Sequence, residues 1–156
     1  METQTETRNG GIVAAQSVAE TLEQWHRLAE WAGETYPEPK ELSREDRAYL
    51  MRETDWREHT DPETLREWLE EMVREYPLSV EYRCGAWQLS PESCEPDEFR
   101  ILITTGGPAV AVFGDLSCSG YASDPELKGQ DWFTQWEPVD CDSDALQWFC
   151  DQLIFG

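Results

Sequence analysis

At 156 residues the chain is one large domain or two small ones, able to bury roughly two thirds of its unfolded surface. Acids outnumber bases 33 to 12, a net charge of −21, and the excess runs through both halves: 19 acids and 9 bases up to Tyr76, then 14 and 3. Such a surface repels free nucleic acid and anionic membranes and attracts basic surfaces. No run of about 18 apolar residues and no basic-then-apolar leader is present, so neither a membrane partner nor export is expected and the protein reads as cytoplasmic.

Residues 1–11 are polar, end in Asn9-Gly10-Gly11 and read as a flexible tail. In "SVAETLEQWHRLAEWAG", Ser17 and Glu20 have capping-box spacing. Val18, Leu22, Trp25, Leu28, Ala29 and Ala32 repeat at helical spacing, with Gly33 as a stop. Two Pro in "YPEPKEL" break the chain, and Ser43 opens a short helix. In "DPETLREWLEEMVREY" Asp61 caps, Pro62 suits the first turn, and Leu65, Trp68, Leu69, Met72, Val73 and Tyr76 form the apolar face.

After Pro77 the pattern changes. "LSVEYRC", "FRILITT", "PAVAVFGDL" and "DWFTQWEPV" read as strands, joined by the polar loops "SPESCEPDE" and "SCSGYASDPELKGQ". Asp142 or Ser143 caps a last helix striped with Leu146, Phe149, Cys150 and Leu153. The expected class is α+β: a helical sub-domain over 12–76, then over 77–156 a roughly four-stranded antiparallel sheet with a C-terminal helix packed on it. Eighteen aromatic residues, eight of them Trp, should fill much of the core.

Several motifs carry less chemistry than they suggest. Thr104-Thr105-Gly106-Gly107 looks like a phosphate cradle, but Pro108 lacks an N–H and a strand follows in place of a helix. A hairpin turn using glycine at positive φ fits better. Asp140, Asp142 and Asp144 lack the remaining ligands of a calcium loop and fit a helix N-terminus. The five Cys have no metal-site spacing and read as reduced thiols, some buried. His26 falls beside a helix stripe, and no Ser-His-Asp or Cys-His arrangement stands out. No cofactor and no catalytic residue is assigned, although 117–130 is a long enough loop to hold a site.

Charge is the most suggestive feature. Glu63, Glu67, Glu71 and Glu75 recur every four residues, with Glu70 beside them. Four residues climb about 6 Å along a helix, the scale of phosphate spacing on a nucleic-acid strand. A solvated face with Arg66–Glu70 and Glu70–Arg74 pairs is the competing reading for this helix. Around the sheet, Asp115, Asp124, Glu126 and Asp131 are the further candidates for meeting a basic partner. A saline cytosol would also favour such acidity. Trp87, Trp132 or Trp136, lining a sheet face, would suit an aromatic or nucleotide-like ligand instead.

"LSVEYRCGAW", "FRILITTGGPAVAVFGDL", "DWFTQWEP" and "ALQWFCDQLIFG" resemble a family of small acidic proteins carried by phages, prophages and plasmids. Its members share a strand into T-G-G-P-A-V, a later Asp-Trp segment and an aromatic C-terminal helix. The resemblance covers about half the chain and brings no catalytic role with it; residues 1–76 lie outside it. It implies an accessory protein of a mobile element, working in the bacterial host cytoplasm. By context and charge, it further implies an anti-CRISPR or antirestriction protein occupying the basic nucleic-acid surface of a CRISPR–Cas effector or restriction complex.

Overall fold

A computed structural model describes residues 9–84, 86–89, 95–132 and 134–154. Three helices come first: α1 (Gly10–Ala32), α2 (Arg44–Glu53) and α3 (Pro62–Glu75). Six strands follow: β1 (Ser79–Cys84), β2 (Ala86–Gln88), β3 (Glu98–Thr104), β4 (Ala109–Leu116), β5 (Ala122–Gln130) and β6 (Glu137–Val139). Helix α4 (Ser143–Leu153) closes the chain. The strands pair antiparallel in the order β2-β1-β3-β4-β5-β6. The α+β architecture expected from the sequence is therefore observed, with six strands in place of about four.

Alternation along the strands gives the sheet two unlike faces. Pairing aligns Val80, Ile101, Val112, Leu127 and Val139 in one inward row, to which Phe99 and Ile103 add on β3. The helices cover this side: α1 lies against β4, β5 and β6, and α4 packs on β5, α1 and α3. Helices and sheet share one hydrophobic cluster, so Pro77 marks a change of secondary structure within a continuous core. Aromatic residues fill much of it. Trp25 meets Tyr76 edge-on at 4.9 Å, Tyr76 meets Phe149 at 6.3 Å, and Trp31 meets the fully buried Trp56 at 6.4 Å.

The caps read from sequence at the three later helices are present. Ser43 accepts from the Asp46 N–H, Asp61 from Glu63, and Asp142 from Ala145. Helix α1 differs. Ser17 lies inside it, and Asn9 is its cap, accepting the Gly11 N–H at 2.8 Å. Asn9-Gly10-Gly11, expected at the end of a tail, thus start the longest helix, while residues 1–8 lie outside the described residues. The glycines are needed here because the helix start touches β5: a Cβ on Gly129 would meet the Gly11 carbonyl, and one on Gly11 the Gln130 backbone.

Two sheet segments also correct the sequence reading. "ASDPELKGQ", read as loop, is the nine-residue strand β5. In "DWFTQWEPV", read as a strand, only Glu137–Val139 pairs among the described residues. Before it the chain turns, with Asp131 N–H donating to Thr134 Oγ1 and Thr134 N–H to the Asp131 carbonyl. The β3–β4 connection is the expected hairpin, with Gly106 at φ +91°. Cys84 is disulfide-bonded, against the expectation of reduced thiols throughout, whereas Cys118, Cys141 and Cys150 are free.

Candidate partner-binding surface

Helix α3 exposes its acids because Leu65, Leu69 and Val73 take the opposite side into the core. Glu63, Glu67, Glu71 and Glu75 are exposed and Glu70 is half-buried. The five do not act as one stripe. Glu70 turns toward α1 and α4, where it lines a cavity of about 350 Å³ with Glu30, Arg66 and Trp148. Glu71 and Glu75 turn toward α2 and share a second groove, of about 200 Å³, with Glu53 and Asp55. Trp68 and Met72 line that groove as well.

Glu53 and Asp55 were not candidates from sequence, and the fold brings them in. Thr54 Oγ1 donates to the Leu50 carbonyl at 2.6 Å and accepts the Trp56 N–H at 3.1 Å. That turn ends α2, sends Trp56 into the core and leaves Asp55 outside. The signal available in sequence was the alternation in "ETDW", acid–polar–acid–apolar, directly after a helix.

The sheet acids sit elsewhere. Asp115 and Glu126 lie on the outer face of the sheet, away from the helices, because Phe113 pairs with Arg100 and Glu126, and Asp115 with Glu98. Asp124 is exposed at an irregularity in β5 and has φ +51°. Asp131 is half-buried and already employed: its Oδ2 accepts the Gly10 N–H at 3.1 Å at the start of α1. The nine acids singled out from sequence therefore do not form one surface, and one of them serves a helix terminus.

None of the nine has an ion-pair partner among the described residues. The pairs Arg66–Glu70 and Glu70–Arg74, expected of a self-neutralised helix face, do not form. The ion pairs that do form lie mostly elsewhere on the helices, as with Arg27–Asp46 and Arg52–Glu53, both at 3.1 Å. His26 Nδ1 lies 3.4 Å from the Glu30 carboxylate and its ring 5.7 Å from that of Trp148, so the side chain is half-buried between α1 and α4.

The outer sheet face has a different chemistry. Residues 77–156 contain three bases, and all three lie on it: Arg100 is 4.4 Å and Arg83 5.4 Å from the Trp87 ring, and Lys128 is 5.2 Å from Phe113. Trp87, Phe113 and Trp136 form an edge-to-face series with spacings of 6.2 and 5.1 Å. Glu81 and Glu98 pair with Arg100 and Arg83 at 2.9 and 4.0 Å. Trp132, the third tryptophan considered for this face, lies instead at the β3–β4 hairpin.

Among the described residues no three His, Cys, Asp or Glu side chains are grouped to hold a metal, and no helix is long and apolar enough to cross a membrane. The chain matches no protein-family model, no curated protein and no solved structure.

Proposed function

We propose that this is a non-enzymatic binding protein whose acidic helical layer docks onto a basic, nucleic-acid-handling protein. In the mobile-element setting its sequence resembles, it acts in the host cytoplasm as an inhibitor of a CRISPR–Cas effector or restriction complex. One observation carries the reading: the exposed carboxylates of α3 stand in a regular series with no ion pair among the described residues. Lys and Arg that normally grip phosphates would supply the missing countercharge, so association should be fast at low salt and weaken as salt rises.

The test is inhibition of effector DNA binding by the parent and by the triple variant Glu63→Lys, Glu67→Lys, Glu71→Lys. Circular dichroism confirms that the variant is folded. The variant should lose inhibition by at least about tenfold, a difference of roughly 1.4 kcal/mol. Equal inhibition by both proteins would remove α3 from the mechanism.

A second reading, a module binding an aromatic or nucleotide-like ligand, draws on the Trp87–Phe113–Trp136 series. Arg100 and Lys128 already lie over the Trp87 and Phe113 rings, so a stacking ligand would have to displace them. A thermal-shift screen with nucleotides separates the two readings: a rise of several degrees would favour the module.

A further inference from the structure

We propose that the groove between the C-terminal end of α2 and helix α3 seats a basic amphipathic helix of a protein partner, with one apolar side chain on Trp68 and Met72 and Lys or Arg on either side. The inference rests on the functional reading above and gives it a specific contact.

The groove has an apolar lining and an acidic rim. Trp68 and Met72 are half-buried, one helical turn apart on α3. Glu71 and Glu75 rise on one side, Glu53 and Asp55 on the other, and no basic side chain lines the site. Glu53 meets Arg52 at 3.1 Å, but Asp55, Glu71 and Glu75 have no ion pair among the described residues. This combination selects the occupant. A polyanion or an anionic membrane is repelled by the rim. A second copy of this chain brings a net charge of −21 to the same place. A small molecule is poorly served, since about 200 Å³ is below the roughly 300–1,000 Å³ of ordinary ligand pockets. A cavity of that size suits a single anchoring side chain, and the rim demands cations beside it.

Helical form follows from spacing. Glu71 and Glu75 are about 6 Å apart along α3. Bases four residues apart on a partner helix have the same rise, and an apolar residue between them faces the groove. The apolar anchor supplies what a charged rim alone does not: a desolvated centre surrounded by polar contacts.

The chain has three methionines, Met1, Met51 and Met72, so carbon-13 methyl labelling gives a sparse spectrum with one reporter in the groove. The probe is a helical peptide of roughly 15 residues carrying a central Leu with one Arg three residues before it and one directly after it, so that the two Arg are four residues apart on the same face. Two companions replace the Leu by Ala or both Arg by Glu. The Arg–Leu peptide should shift the Met72 signal. Loss of the Leu should weaken binding about tenfold or more, as should the double variant Glu71→Gln, Glu75→Gln. The Glu peptide should not bind. A Met72 signal unmoved by a saturating excess of the Arg–Leu peptide overturns the proposal. So does equal binding of the Ala peptide; in that case charge attraction, and with it the functional reading, stands without the groove. If the peptide binds as expected but the Gln variant still inhibits the effector fully, the groove stands and its part in inhibition falls.

Discussion

The indole of Trp132 lies directly on Gly107. Gly107 belongs to the β3–β4 hairpin and Trp132 to the β5–β6 connection, so two segments 25 residues apart in sequence form one corner of the sheet. A Cβ at residue 107 would collide with the indole ring. The glycine pair that resembles a phosphate loop thus divides two tasks: Gly106 supplies the positive φ of the turn, and Gly107 leaves room for a tryptophan.

This contact predicts a contrast between glycines. Trp132 is 73% exposed, so its side chain can swing away in Gly107→Ala, at a cost within about 0.5 kcal/mol. In Gly129→Ala the obstacle is the Gly11 backbone, which has nowhere to go, and overpacking of that kind costs about 1–3 kcal/mol. Thermal unfolding separates them, at roughly 2–4 °C per kcal/mol for a chain of this size. Equal midpoints would contradict the close approach of α1 to β5.

Asp131 and Glu126 should part company in the same assay. Helix α1 has no acid in its first turn, and Asp131 meets its Gly10 N–H from the β5–β6 connection. Asp131→Ala should therefore cost about 1 kcal/mol, the scale of a lost helix-terminal acceptor. Glu126 is exposed and makes no ion pair among the described residues, so Glu126→Gln should leave the midpoint unchanged within about 1 °C. Any loss of partner binding in the Asp131 variant then reports on folding.

The pair Arg27–Asp46 should couple more strongly than Arg52–Glu53. Asp46 is 6% exposed and takes bonds from both Gln24 and Arg27 at 3.1 Å, which ties α2 to α1. The Arg27 side chain is 57% exposed, so solvent screens part of the attraction. A double-mutant cycle should return about 1–2 kcal/mol here and under about 0.5 kcal/mol for the exposed pair. A coupling near zero for Arg27–Asp46 would refute its anchoring role.

The free thiols predict both reactivity and alkaline behaviour. Burial, followed by the Glu23 and Asp142 charges, pushes Cys141 up to about 12 from 9.0; burial, then Asp151 and Cys141, also raises Cys150. Thiolate is the reactive form, so the exposed Cys118 should alkylate first at about pH 8, with Cys141 and Cys150 far behind. A raised folded pKa means the fold favours the protonated thiol. That stability is whole below pH 9.0 and is lost as pH rises toward 12. Unfolding midpoints should thus fall above about pH 9. The fall should be shallower in Cys141→Ser, and an identical slope in that variant would assign the effect elsewhere.

Helices whose apolar stripes and caps coincide were legible in the sequence. Asp61-Pro62 with Leu65, Leu69 and Val73 specified α3 without help from the rest of the chain. Strand β5 was not legible, because Asp124, Pro125 and Gly129 carry the signals of a loop. The pairing explains the discrepancy. Asp124 and Pro125 fall where the ladder with β4 skips between Phe113 and Asp115, so the missing Pro N–H interrupts a ladder that is already broken. Gly129 needs to be small because a helix lies on it. The start of α1 escaped for the same reason: Gly10-Gly11 has the local grammar of a linker and a long-range packing requirement. The α3 half of the candidate surface was visible as periodic Glu, but Glu53 and Asp55 join it only through the turn at Thr54.

The placement of the bases has an effect on approach as well as on contact. The outer sheet face carries Glu81, Glu98, Asp115 and Glu126 against Arg83, Arg100 and Lys128, near balance in a chain of net charge −21. Nearly all of the uncompensated charge is therefore borne by the rest of the molecule. Such a body has an electrical front and back, and a cation-rich partner exerts a torque on it before the two touch. The first collision then tends to fall away from the outer sheet face, which reduces the orientations that must be searched by diffusion alone.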